Sequence, residues 1–210
     1  MTTSGFSENK ITPKLTATIQ DLVGRFGQIG SDRAELLSTI AKLISVEKKW
    51  APVTLNFICT HNSRRSQISQ AWAIVASSYF GIKNIKAVSG GTEVTAFNSR
   101  AVQALTDQGF VLSMKVKTAN PGYVLMSGED EIIEMYSKTF QQATLDPFIA
   151  IMTCDHADRN CPLVPGAIER FPLAFKDPGH SDGAPDEAAV YRRTADLIGL
   201  EILYLFSLIR

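Results

Sequence analysis

Val53-Thr54-Leu55-Asn56-Phe57-Ile58-Cys59-Thr60-His61-Asn62-Ser63-Arg64-Arg65-Ser66 carries the deciding pattern of this 210-residue chain. Residues 53–58 alternate and are β-rich, which predicts a strand. Residues 59–65 are polar and read as a turn. From Ser66 to Phe80, the spacing of Ile68, Trp72, Val75 and Tyr79 predicts a helix with these four on its inner face. A tight turn at a helix start points backbone N–H groups and the helix dipole at one spot, where an anion is stabilised. Five residues separate Cys59 from Arg65. The planar fork of Arg65 suits two oxyanion oxygens, and the same positive field favours the thiolate of Cys59. A thiolate beneath a tetrahedral oxyanion is an attacking nucleophile. Ser66 is placed to donate to the Cys59 sulfur and make it a better leaving group. Thr60, His61, Asn62, Ser63 and Arg64 complete the candidate oxyanion loop. The plain alternative is a structural cysteine at a strand end beside a surface arginine pair.

Outward from this motif, the chain alternates strands and helices. Ile85 to Ser89 reads as a second strand, followed by a Gly90-Gly91 turn; Asn98 to Gln108 is a helix ended by Gly109; Phe148 to Thr153 is a buried-type strand; Glu187 to Ile209 is a long helix with Pro185 near its first turn. This order predicts an α/β fold with a parallel sheet flanked by helices. Tyr123 to Met126 and Ile132 to Tyr136, between turn signals at Asn120-Pro121 and Ser127-Gly128, predict a β-hairpin inserted at about 120–140. Residues 1–12 read as a polar tail. Leu15, Ile19, Leu22, Val23 and Phe26 mark one helix, with Pro13 at its start. A second is expected behind Asp32 as cap and Glu35 as third helical residue, ahead of Leu36, Leu37, Ile40, Leu43 and Ile44. The chain thus divides into an N-terminal helical extension, 1–50, and a catalytic domain, 51–210.

Composition narrows the function. Lys+Arg and Asp+Glu are both 21, so the net charge is zero, and no basic excess suggests nucleic acid or an anionic membrane as partner. No apolar run approaches a membrane span, and Met1 to Lys10 lacks the apolar core of a signal peptide. A cytoplasmic protein is expected, and the oligomeric state stays open. In a reducing compartment its three cysteines are free to do chemistry.

The other two cysteines lie in Cys154-Asp155-His156-Ala157-Asp158-Arg159-Asn160-Cys161-Pro162. A helix between Cys154 and Cys161 would hold them roughly 10 Å apart along its axis. A disulfide needs Cα atoms within about 7 Å, so this polar segment must deform to close one. With His156 the pair also suggests zinc, but only three ligands lie close and the spacing matches no common zinc motif; two unrelated structural thiols are the third reading.

The stretch Phe57 to Gln67 resembles the active-site loop of the low-molecular-weight protein tyrosine phosphatases and, equally, that of the arsenate reductases on the same fold. The resemblance covers roughly residues 52–209 and implies a doubly wound parallel sheet. The Cys154…Cys161-Pro162 pattern is similar to the thioredoxin-coupled arsenate reductases. That implies a relay: Cys59 attacks arsenate, Cys154 attacks the arsenic-bearing sulfur and releases arsenite, and Cys161 closes a disulfide that a thioredoxin-like partner reduces. Lys176-Asp177-Pro178-Gly179 resembles the family's late Asp-Pro loop, which implies Asp177 as general acid; an ordinary Asp-Pro turn is the alternative. Gly179 and His180 stand where phosphatases usually carry an aromatic residue. His61 replaces a common glycine, and Arg64 a small residue. Asn62 and Ser89 match positions of a potassium site in some relatives, but Gln70 replaces the expected carboxylate. No metal and no organic cofactor is implied. Arsenate reduction is the leading expectation. Phosphomonoester hydrolysis through a cysteinyl-phosphate is the alternative, and a non-catalytic phosphate- or phosphoprotein-binding module is the third.

Overall fold

The computed structural model describes residues 11–126, 132–160 and 163–210. Two helices, α1 (Pro13–Gly24) and α2 (Ser31–Glu47), precede β1 (Val53–Cys59), α3 (Arg65–Tyr79), β2 (Ile85–Gly91) and α4 (Ser99–Gln108). There follow β3 (Leu112–Val116), β4 (Gly122–Met126), β5 (Ile132–Met135), the one-turn α5 (Phe140–Ala143), β6 (Phe148–Met152), α6 (Asp155–Asn160), β7 (Ala167–Pro172) and α7 (Glu187–Ser207). The main sheet runs β2-β1-β6-β7, all parallel. β1 is buried along its whole length. Its odd residues Val53, Leu55 and Phe57 join Ile149 and Ile151 in the larger core, under α3 and α7. On the opposite face, Ile58 packs with Phe140, Phe148, Ala150 and Met152. Burial on both faces is what a doubly wound parallel sheet requires.

The chain leaves β1 towards β2 on one side, while β6 lies on the other. The strand order therefore reverses at β1, and the crevice beyond its C-terminal end, at Cys59, is where such sheets bind ligands. The β1–β6 register pairs Ile58 with Met152. Two residues further along each strand, Thr60 and Cys154 leave the sheet side by side.

Several expectations are revised. The predicted hairpin is an antiparallel three-stranded sheet, β3-β4-β5. Leu112–Val116, not expected as a strand, alternates apolar with polar residues and forms a mostly exposed edge of this sheet. The Ser127-Gly128 turn signal and residues 1–10 of the polar tail lie outside the described residues. Gly90 and Gly91 end β2 rather than forming a turn. A Cβ on Gly90 would sit 2.3 Å from the Phe140 Cα, so the glycine serves close packing. Tyr79 is not core: it lies at the end of α3, 36% exposed and edge-on to Phe80, whereas Trp72 is fully buried. Gly30, not Asp32, caps α2; Asp32 lies in its first turn, where its charge complements the helix dipole.

The apolar faces of α1 and α2 are covered. Leu15, Ile19, Leu22, Leu37, Ile40 and Ile44 share one core with Trp72 and with Ile198 and Leu205 of α7. Arg33 of α2 donates through Nε to Glu201 at 2.7 Å and through Nη2 to the Ala174 carbonyl at 3.0 Å. Burial raises the Glu201 pKa, while Arg33 opposes that rise. No helix among the described residues is long and apolar enough to cross a membrane.

Candidate active site

The loop between β1 and α3 is held from three sides. Asn62 takes a left-handed backbone, φ +46°, which a short polar side chain tolerates better than most. Its Nδ2 donates to Ser66 Oγ at 2.9 Å, and its Oδ1 accepts from Gln67 Nε2 and from the Lys138 backbone N–H. Gln67 Nε2 also donates to the Asn62 and Tyr136 carbonyls. On the outer flank, the His61 carbonyl accepts from Ser137 Oγ at 2.8 Å, and Ser63 Oγ donates to the Ala96 carbonyl at 2.7 Å. Gly91 closes the underside. A Cβ there would lie 2.6 Å from the Thr60 carbonyl and 2.8 Å from the Asn62 nitrogen. The loop is thus preorganised, a property on which electrostatic stabilisation depends.

Cys59 is buried at the end of β1, with its Sγ 3.1 Å from Ser66 Oγ. Arg65 opens α3 and donates through Nη1 to the Phe175 carbonyl at 3.0 Å and through Nη2 to Asp177 Oδ2. Its Nε–H is buried without an acceptor among the described residues. An orphaned charged donor is costly, and an oxyanion beside Cys59 would satisfy it. Asp177 therefore lies within reach of the loop, with its Oδ1 accepting from the Gly179 N–H at 2.9 Å.

Arg64 holds the same acidic segment. Its Nε donates to Tyr191 Oη at 2.7 Å, its Nη2 contacts Asp182 at 3.0 Å, and Tyr191 donates onward to Asp182 at 2.7 Å. The guanidinium packs on Gly179, where a Cβ would lie 2.9 Å from Cζ. Burial and the Asp182 bond push the Tyr191 pKa up to about 12, so its hydroxyl stays protonated. The Arg64 guanidinium thus faces the Asp177–Asp182 segment. His61 is exposed, its Nε2 3.4 Å from Glu93 Oε2.

Cys154 is buried and free, as is Cys59, and both belong to the smaller core. Thr60 Oγ1 lies 3.6 Å from Cys154 Sγ and 3.1 Å from His156 Nδ1. The Ala157 backbone N–H, in the first turn of α6, points at the Cys154 sulfur at 3.3 Å. Cys161 lies outside the described residues. At the positions suggested for a cation, Ser89 Oγ donates to Gln70 Oε1 at 2.7 Å, and the Asn62 side chain is engaged by Ser66, Gln67 and Lys138. Sequence reasoning missed Gln67, Ser137, Tyr191 and Asp182. Only Gln67, directly after Ser66, stood within the motif; the others come from distant elements that packing brings to the loop.

No family model matches the chain. The chain is similar to the arsenate reductase of Halalkalibacterium halodurans, 32% identical over 148 residues, which are 70% of this chain and 89% of that protein. It is also similar to the arsenate reductase of Bacillus subtilis, 27% identical over 144 residues, 68% of this chain and 87% of that one. Its fold matches a low-molecular-weight phosphotyrosine phosphatase from Vibrio cholerae with a TM-score of 0.50 at 17% identity, covering 74% of this chain and 95% of that one.

Proposed function

The chain belongs to the low-molecular-weight phosphatase-fold family that includes the arsenate reductases, and from that premise we propose that it reduces arsenate to arsenite by a three-cysteine relay. Cys59 is the nucleophile, and the loop amides of residues 60–65 with Arg65 bind the oxyanion. Its attack expels an oxygen that Asp177 protonates. Asp177 and Arg65 lie against each other, so proton donor and anion grip are brought to one place. Ser66, 3.1 Å from the sulfur, stabilises Cys59 as thiolate and later as leaving group. Cys154 then attacks Cys59: an S–S bond forms, the S–As bond breaks, and arsenic keeps the electron pair and leaves as arsenite. Cys161 attacks Cys154, releases the Cys59 thiolate and leaves a Cys154–Cys161 disulfide for a thioredoxin-like dithiol to reduce. In this reading residues 51–210 form the catalytic unit and 1–50 an extension whose helices α1 and α2 share its core.

The observation that carries the reductase reading is the second thiol against the loop. Cys154 Sγ lies 3.6 Å from Thr60 Oγ1, and Thr60 is the residue directly after Cys59. A hydrolase needs no thiol there. The Thr60 hydroxyl and the Ala157 N–H are both placed to favour the Cys154 thiolate. His156 Nδ1 lies 3.1 Å from the same Thr60 hydroxyl.

The test supplies arsenate and a reduced thioredoxin system and follows NADPH consumption, beside the Cys154→Ser and Cys161→Ser variants. Arsenate-dependent consumption in the parent, lost in both variants while aryl phosphate hydrolysis persists, is the expected result. Aryl phosphate hydrolysis in all three without arsenate-dependent consumption would leave a phosphatase.

A further inference from the structure

Against α3 and β2 lies a cleft of about 750 Å³. This is within the range of small-molecule sites. Its walls come from α3, β2, β5 and the segment that leads into α5. Ala73, Ile74, Ile85 and Ile133 bring apolar groups to its lining, and Lys138 and Gln142 polar ones.

Lys138 is the unusual member. It is only 7% exposed. Its ammonium donates to one acceptor, the Tyr136 carbonyl at 3.1 Å, and lies 4.4 Å from the centre of the Tyr136 ring. Among the described residues no carboxylate forms an ion pair with it. Of the other charges that line the cleft, Glu134 pairs with Lys115, Lys86 faces Asp146 at 3.7 Å, and Lys83 adds a further positive charge. Burial lowers the Lys138 pKa to about 8, so the amine still carries its proton at neutral pH. A buried ammonium at the wall of a cleft, with the Tyr136 carbonyl as its one hydrogen-bond acceptor among the described residues, calls for an anion.

We propose that this cleft binds a small organic carboxylate, its carboxylate paired with the Lys138 ammonium and its apolar body against Ile74 and Ile133. The site is separate from the Cys59 loop but mechanically joined to it. The Tyr136 carbonyl accepts from Lys138 Nζ and also from Gln67 Nε2. The Lys138 backbone N–H donates to Asn62 Oδ1 at 3.0 Å. An anion that draws the ammonium from the Tyr136 carbonyl changes a hydrogen bond that Gln67 shares with the loop, so occupancy is felt at Asn62.

Calorimetric titration of the full chain with benzoate and hexanoate, and with benzamide as the neutral counterpart, tests the site. Both carboxylates are expected to bind the parent and the Arg65→Met variant, which lacks the loop's guanidinium grip, alike, and this separates the cleft from the catalytic loop. Lys138→Met should weaken them at least about tenfold, the scale of one charge-assisted hydrogen bond. Ile74→Trp, which fills the cleft and keeps the lysine, should do the same, so the test survives if Lys138→Met fails to fold. In amide spectra the carboxylates should move the Gln67 side-chain resonance. Binding of neither carboxylate, equal binding of benzamide, or unchanged affinity in Ile74→Trp would overturn the proposal.

Discussion

Replacing Lys138 by methionine should stabilise the fold at neutral pH, and the gain should vanish in alkali. The chain carries a buried ammonium whose pKa falls from an ordinary 10.5 to about 8 through desolvation alone. At about 1.4 kcal/mol per pH unit, that interval corresponds to about 3 kcal/mol of native-state penalty. The sign follows from proton counts. Between pH 8 and 10.5 the unfolded chain still binds this proton and the folded chain has released it, so parent stability rises with pH across that window. Below pH 8 both states are protonated and the full penalty is present; above 10.5 neither is, and it is gone. Methionine keeps the stem and packing of the lysine but has no charge to bury. Urea unfolding of parent and variant at pH 7, 8.5, 9.5 and 10.5 measures the difference, and other titrating groups cancel between them. The expected variant advantage is about 3 kcal/mol at pH 7, falling towards zero by pH 10.5. A difference that stays constant over this range would refute the argument, since it would mean that the ammonium is solvated or already paired. Loss of stability at pH 7 would show that the bond to Tyr136 outweighs the desolvation.

Arg33→Met should cost about 3 kcal/mol at pH 7 by leaving the Glu201 carboxylate buried and unpaired. Burial raises the Glu201 pKa, so the loss should shrink as the pH falls through that titration and the group becomes neutral; denaturant curves at pH 7 and pH 5 compare the two. Gly90→Ala sets a methyl 2.3 Å from the Phe140 Cα, where both sides are backbone, and should destabilise by about 2 kcal/mol, visible as a lower Tm. Thr60→Val removes the hydroxyl between Cys154 and His156. Arsenate turnover should fall about tenfold with aryl phosphate hydrolysis much less affected, and equal losses in both assays would place Thr60 in the loop's architecture instead.

Local signals in the sequence reached far. The alternation in residues 53–58, the polar turn and the helical spacing after Ser66 define β1, the loop and α3, because each depends on neighbours in the chain. The same holds for β6 and α7, whose apolar runs are long and unambiguous. β3 and β7 were not legible. β3 is mostly exposed and β7 has no buried residue, so no buried face marks them, and pairing with β4 and with β6 is what makes them strands. Gly90 and Gly91 read as a turn because glycine signals a bend locally, whereas their need comes from Phe140 and Thr60, which are remote in the chain.

For the site, residue type and spacing named Cys59, Arg65 and Ser66 as candidates, and the resemblance to a known family implied Cys154, Cys161 and Asp177. Tertiary structure decided which of them meet. Parallel pairing of β1 with β6 sets Thr60 beside Cys154, and the turn after β7 brings Asp177 to Arg65. It also gave Arg64 to Tyr191 and Asp182, and buried Lys138 at the back of the loop. Those contacts cross 76 to 127 positions of chain. They depend on strand register and on which helix face is buried, and these are settled only when the whole core closes.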